Sequence, residues 1–358
     1  METTLVDTVR EIKLSCLATG IQVTKEAEGK LSAKGSVPIT IHEYATTGGV
    51  TMILPGEVYL NAPFDEWFCK GAEALLSLDP DGNFVVRFQG EEVLVRMLPL
   101  PGYLNTRDSK GRLVSDVAMS HADRVRLSPT SGCVYSCQFC DMAATKYTKR
   151  PLDQFIQALG VARADANLPV KHGLISGGTT SPSDQRYFDE VCRGLIAGTD
   201  FPFDVMMTPR TSTTIIDSLF DWGITGYALN MEVFTPDLAA TIIPQKHRLG
   251  HGVWRDSIQR AVELTGGKGR VRSLLVTGLE SVTQTLEGVE FLARLGCDPV
   301  LSPFRPARNT AMVRVPPPTT QYLREVYEGS LDVVHRYGVE LGPRCIPCQH
   351  NTLTFPGG

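Results

Sequence analysis

Three cysteines, Cys133, Cys137 and Cys140, stand in a C-x3-C-x2-C spacing within residues 131–141. Thiolates spaced this closely on a loop are typical ligands of iron–sulfur clusters. Three of them on a four-iron cluster leave one iron without a protein ligand, and an open position marks a catalytic metal site rather than a structural one. A zinc knuckle or three unrelated thiols are the competing readings. A second set lies in the tail, Cys345-Ile346-Pro347-Cys348-Gln349-His350. C-x2-C with a nearby histidine also has metal-ligand spacing. Cys345, Cys348 and His350 would give three ligands, with Cys297, Cys16 or Cys69 as a distant fourth. A pair of buried thiols, or a thiol that contacts substrate, are the alternatives there. Cys192 falls in a helical pattern and reads as core.

The elements around these residues follow from periodicity. Residues 5–17 read as a helix with Leu5, Val9, Ile12 and Cys16 on one face and Gly20 as its stop. Residues 37–42, 50–54, 83–88 and 92–97 read as strands, and Asp79-Pro80-Asp81-Gly82 as a turn. Residues 1–115 are therefore expected to form a β-rich accessory domain, with 105–112 as a linker. From residue 122 the rhythm becomes strand, loop, helix. Strands are expected at 124–129, 170–176, 203–208, 226–232, 271–277 and 298–303. Helices fall between or after them, for example at 152–164, 185–197, 281–294 and 320–337. Six βα units in series predict a parallel sheet, either a partial barrel or a doubly wound sheet. In both, ligands sit at the carboxyl ends of the strands, and the cysteine triplet follows the first of them. Residues 116–310 form the expected core, and 311–358 a C-terminal helix with the C-x2-C tail.

The triplet, with aromatic Phe139 just before its last cysteine, resembles the signature of the radical S-adenosylmethionine (SAM) enzymes. The resemblance covers roughly residues 122–310 and is nearest to the biotin-synthase-like and hydrogenase-maturase-like branch. It implies an α/β fold with a partial (β/α)6 TIM-like barrel. It also implies a [4Fe–4S] cluster whose unique iron is chelated by SAM. A reduced cluster would cleave SAM, and the 5′-deoxyadenosyl radical would take hydrogen from a substrate; the cofactor carries the hard chemistry and the protein supplies orientation. Carried onto this chain, Phe139 would pack near the adenine. Ser176-Gly177-Gly178-Thr179 resembles the "GGE" element that meets the SAM amino group through backbone, with Thr179 in place of the usual acid. Asn230 and Glu232, which share a strand face, would meet the ribose. Arg255, or else Lys246 or Arg248, would pair with the SAM carboxylate, which suits a guanidinium fork. Gly278-Leu279-Glu280 is similar to the family's turn beside the adenine, and residues 302–306 to its "PF-P" turn, which puts Arg305 within reach of substrate or in a buried salt bridge. Several members carry a second iron–sulfur cluster in a C-terminal extension, although the known extensions hold more cysteines than this tail.

Composition narrows the function classes. The 358 residues are 42% hydrophobic and 21% charged, ordinary for a globular protein. A net charge of −4, from 35 basic and 39 acidic side chains, disfavours a nucleic-acid partner. The first residues do not read as a signal peptide and no apolar run approaches a membrane span. A cytoplasmic location is expected, where the 9 cysteines stay reduced and act as ligands or core. The leading expectation is an enzyme acting on a small-molecule biosynthetic substrate by rearrangement, cleavage, carbon–carbon coupling or sulfur insertion, served by an electron donor such as flavodoxin or ferredoxin. A non-catalytic iron–sulfur scaffold or electron carrier is the alternative, and a zinc-binding regulatory module a third.

Overall fold

The computed structural model describes residues 4–33 and 48–357. Its centre is a seven-stranded sheet. We label the strands β1 (Ala118–His121), β2 (Arg124–Leu127), β3 (His172–Ile175), β4 (Phe203–Met206), β5 (Gly226–Ala228), β6 (Val271–Thr277) and β7 (Asp298–Pro303). They pair strictly in sequence order, β2 to β7 in parallel and β1 antiparallel to β2. This is the expected partial barrel, with one added antiparallel edge strand that the sequence pattern did not suggest. Strands covered on both faces need near-continuous apolar runs, and β7 is buried along its whole length. Beyond β5 the main chain keeps bonding to β6: Glu232 N–H donates to Leu274 O and Val276 N–H to Glu232 O.

The expected helices are present at Leu152–Arg163, Gln185–Ile196, Val282–Arg294 and Thr320–Tyr337, joined by Thr214–Asp221 and Gly250–Thr265. Ser281 and Gln284 cap Val282–Arg294 reciprocally, satisfying backbone donors that the first turn leaves open.

The N-terminal helix, Leu5–Thr19, buries Val9, Ile12 and Cys16, while Leu5 stays exposed. It also buries Lys13, whose Nζ donates to Gln349 O at 2.9 Å and Thr354 O at 2.7 Å in the tail. The strand expected at 37–42 lies outside the described residues. Two small sheets follow, one built on Val50–Leu54 and Val58–Ala62, the other on Leu75–Leu78, Phe84–Phe88 and Glu91–Leu94. Residues 105–112 are tied to the barrel, since Arg112 bridges Asp108 at 2.7 Å and Asp153 at 2.8 Å. Among the described residues no helix is long and apolar enough to cross a membrane.

Candidate active site

The cysteine loop leaves β2 and is closed at its base by the antiparallel pairing of Thr130–Ser131 with Thr148–Lys149. Cys133, Cys137 and Cys140 all face one cavity of about 570 Å³, a volume suited to a cofactor-sized ligand. The segment after β5 clamps the loop from outside: Gln138 N–H donates to Ile242 O at 2.9 Å, and Gln138 Nε2 to Thr241 O at 2.7 Å.

On the other side the Gly-Gly loop after β3 lies directly on the cysteine loop. Thr179 N–H donates to Cys133 Sγ at 3.1 Å, joined by Tyr135 N–H at 3.3 Å, and Val134 N–H donates to Thr179 O. A Cβ at Gly178 would fall 1.9 Å from Gly132 O and 2.7 Å from Cys133 Cα, so no larger residue fits there. At Gly177 the nearest atom would be Thr130 O at 3.2 Å. Ser176 is buried, with its hydroxyl against Met206 Sδ. The Thr179 hydroxyl meets that of Thr208 at 3.0 Å.

Asn230 and Glu232 both line the cavity. Asn230 Oδ1 accepts from Leu274 N–H at 3.2 Å. Glu232 holds a left-handed backbone (φ 71°), a conformation costing a bulky residue on the order of 1 kcal/mol and found where function over-determines the geometry. Its Oε1 pairs with Lys246 Nζ at 2.7 Å, while Oε2 is buried with no hydrogen-bond partner. Burial pulls Lys246 down, yet the Glu232 carboxylate and the nearby Cys137 outweigh it and hold the ammonium above its usual range. Burial first, then Glu232, pushes the Cys137 thiol up, and burial takes Cys140 to about 11. Thiols held this way are poor nucleophiles but would ionise on binding a metal. Phe139 packs with Val233, Ile242, Val276 and Phe304 beside the loop.

Arg255 is not in this cavity. It is exposed on the helix after β5 and pairs with its neighbour Asp256 at 2.8 Å. The chain folds two short helices, Pro236–Ile242 and Pro244–His247, before that long helix, and these carry Lys246 inward instead. Arg305 lines the cavity but is fully engaged below it: its guanidinium donates to Asn61 Oδ1 at 2.7 Å and to Asn61 O. Burial lowers it to about 10.

The tail cysteines gather partners different from those expected. Cys345 Sγ lies 3.4 Å from His172 Nε2 and 3.7 Å from Asp123 Oδ1, and Cys348 Sγ 3.7 Å from His172 Nε2. His172 and Asp123 are 3.5 Å apart. Burial works against charging His172, but Asp123 and Cys348 prevail and push it up to about 9. His350 is elsewhere, stacked on His121 with ring centroids 3.7 Å apart. Cys16, Cys69 and Cys297 are buried as separate free thiols. Asp123 and His172 were legible only through topology. β2 and β3 are parallel with Arg124 opposite His172, which sets the residue before Arg124 beside that histidine.

The chain resembles several known proteins over parts of its length. It is 29% identical over 118 residues to the bacteriochlorophyllide c C-7(1)-hydroxylase of Chlorobaculum limnaeum, a stretch covering 32% of this chain and 29% of that protein. Among solved structures it is similar to the [FeFe]-hydrogenase maturase HydG of Carboxydothermus hydrogenoformans (17% identity, 60% of this chain and 52% of that one, TM-score 0.47). A radical SAM methyltransferase from Sphaerobacter thermophilus matches at 17% identity over 75% of this chain and 76% of that one (TM-score 0.48). HemN of Escherichia coli, a radical SAM coproporphyrinogen III oxidase, matches at 15% identity over 61% and 54% (TM-score 0.43). No family model matches. The chain spans about half the length of HydG and less than a third of the hydroxylase is matched.

The cysteine triplet on one cavity and the half-barrel sheet are the features that the resemblance in the sequence implied. The residues fit the groups such a site holds. Three thiols face one cavity with two backbone N–H groups on Cys133 Sγ, donors of the kind that tune a cluster's potential. The cavity also has bare backbone at Gly177-Gly178 and is lined by Glu232, whose Oε2 is buried without a hydrogen-bond partner. A purely structural loop needs neither.

Proposed function

We propose that the chain binds a [4Fe–4S] cluster on Cys133, Cys137 and Cys140, cleaves SAM reductively and abstracts hydrogen from a small-molecule biosynthetic substrate. A [4Fe–4S] cluster held by Cys133, Cys137 and Cys140 would, when reduced, supply the electron for SAM cleavage and so the hydrogen-abstracting chemistry. The chain's residues do the rest. Backbone groups of Gly177 and Gly178 come close enough to receive the SAM amino group, and Phe139 offers an apolar face to the adenine. Glu232 and Asn230 present acceptors to the ribose hydroxyls. Lys246, rather than Arg255, is the cation available to the SAM carboxylate. Asn61, on the strand Val58–Ala62, holds the cavity-lining Arg305 in place. In this reading residues 1–115 are a β-rich accessory domain, 116–310 the catalytic core and 311–358 a C-terminal helix with the C-x2-C tail. A cytoplasmic setting with a flavodoxin or ferredoxin as reductant completes the proposal. The likeness to a hydroxylase over 118 residues fits hydrogen abstraction from a C–H bond.

The observation that carries this reading is the interlock of the Gly178 and Cys133 loops at a cavity shared with the Glu232–Lys246 pair. The test is 5′-deoxyadenosine formation by the anaerobically reconstituted protein with SAM and dithionite. C137A should abolish it and lower bound iron. Undiminished 5′-deoxyadenosine from C137A would overturn the cluster assignment.

A further inference from the structure

We propose that the chain carries a second, mononuclear metal site, a zinc-type centre formed by Asp123, His172, Cys345 and Cys348. The four ligand atoms all lie within 4.8 Å of one another. The four separations given above run from 3.4 to 3.7 Å. A tetrahedral ion with bonds of ~2.0–2.3 Å sets its ligand atoms ~3.3–3.8 Å apart. The set therefore has the dimensions of the shell around a single ion. A four-iron cluster interposes a cube of iron and sulfide between its thiolates and holds them farther apart than this set allows. Two soft thiolates with one imidazole and one carboxylate select zinc over magnesium or calcium, and tetrahedral geometry disfavours copper(II). Binding would release the thiol protons to solvent and leave His172 neutral through its Nε2.

The placement gives the site its role. Asp123 and His172 stand at the amino ends of β2 and β3, whose carboxyl ends lead to Cys133 and Gly178. The strand from His172 to Ile175 alone spans roughly 10 Å, and Gly178 lies beyond its carboxyl end, so this ion lies toward the opposite end of the cavity from the cysteine triplet. The four ligands come from one strand-linking turn, one strand start and the tail. An ion there would fasten the tail across the amino end of the half-barrel. All four coordination positions are filled by protein, the pattern of a structural centre. The site does not depend on the proposed radical chemistry.

The experiment is metal analysis of a variant that cannot hold the first cluster. C133A/C137A/C140A, purified aerobically and desalted, should retain about one zinc per chain, as should the unaltered protein. C345A/C348A should lose it, and H172A and the isosteric D123N should lower occupancy at least tenfold. H350A should keep it. Cobalt(II) in place of zinc should give the intense visible bands of a tetrahedral ion with thiolate charge transfer, a readout that needs no variant to fold. Zinc absent from the triple variant, octahedral cobalt spectra, zinc lost in H350A but kept in H172A, or iron with matching sulfide at the tail would each overturn the proposal. None of these readings changes with 5′-deoxyadenosine production, so failure here and failure of the radical reading are separable.

Discussion

Replacing Gly178 by alanine tests the interlock at its tightest point. The added carbon would fall 1.9 Å from Gly132 O and 2.7 Å from Cys133 Cα. Both are backbone, so no side chain can swing aside. Bringing the first contact out to ~3.2 Å requires the two loops to part by ~1.3 Å, in an interior packed to crystal-like density. Gly178 has no left-handed backbone, so alanine meets a steric penalty and nothing else. Overpacking of this kind costs ~1–3 kcal/mol, too little to unfold a chain of this size. The larger effect is positional, because Cys133 and the SAM cradle move apart, and a ~1 Å misplacement costs on the order of 100-fold in rate. That is about 2.7 kcal/mol at the transition state. The internal control is Gly177, where alanine would meet Thr130 O at 3.2 Å and needs only a few tenths of an ångström. The assay is 5′-deoxyadenosine formation per cluster, with iron and sulfide measured on the same sample. G178A should fall ~100-fold and G177A less than ~10-fold. Wild-type rates in G178A, or equal losses in both, would refute the argument from loop contact.

Three further outcomes are expected. K246M leaves the Glu232 carboxylate buried without its 2.7 Å partner, which should destabilise folding by ~3–5 kcal/mol. E232Q/K246M should recover more than half of that in denaturant unfolding, and a coupling energy near zero would contradict the pairing. R255A should change SAM affinity less than ~2-fold, since Arg255 is exposed and pairs with its neighbour Asp256; a tenfold loss by calorimetry would return the carboxylate role to it. Burial lowers Lys13 to about 7, so between pH 7 and its unfolded value near 10.5 the unfolded chain binds the extra proton. Its contribution is fully present above pH ~10.5 and is lost as pH falls through ~7, a slope of at most ~1.4 kcal/mol per pH unit. The difference in unfolding free energy between wild type and K13M should therefore grow with pH across 7–10, and a pH-independent difference would count against a neutral buried lysine.

How far the sequence spoke depended on the range of the interaction. The parallel strands read clearly because short segments such as Val271–Thr277 and Asp298–Pro303 alternate with helix-period segments in a regular strand, loop, helix rhythm. The cysteine triplet read clearly because its ligands lie within eight residues. Arg255 was misleading for a local reason: counting forward from β5 finds the first arginine on a long helix, but Pro236 and Pro244 start two short helices that bring Lys246 inward first. The antiparallel strand β1, Ala118–His121, went unread because it precedes the strand, loop, helix rhythm and pairs as a hairpin with β2. In the tail the C-x2-C pair was visible, and the nearest histidine in sequence, His350, was the natural third ligand. The ring that meets the thiols is His172, more than 170 residues away, placed by the pairing of β3 with β2.

That pairing couples the two thiol sets. A one-residue slip of β3 against β2 would move His172 off Asp123 and, at the other end, move Thr179 N–H off Cys133 Sγ. Nothing local fixes this register: β3 is four residues long and begins His172-Gly173. On its other side β3 is pinned to the next strand, where a Cβ at Gly173 would fall 2.2 Å from the Phe203 ring. The bare Gly173 backbone thus admits Phe203, and the ring fills a space that only this register leaves open. Packing of Phe203 on Gly173 thus fixes β3 against β4, while the Gly178–Cys133 interlock and the Arg124–His172 pairing hold β3 against β2.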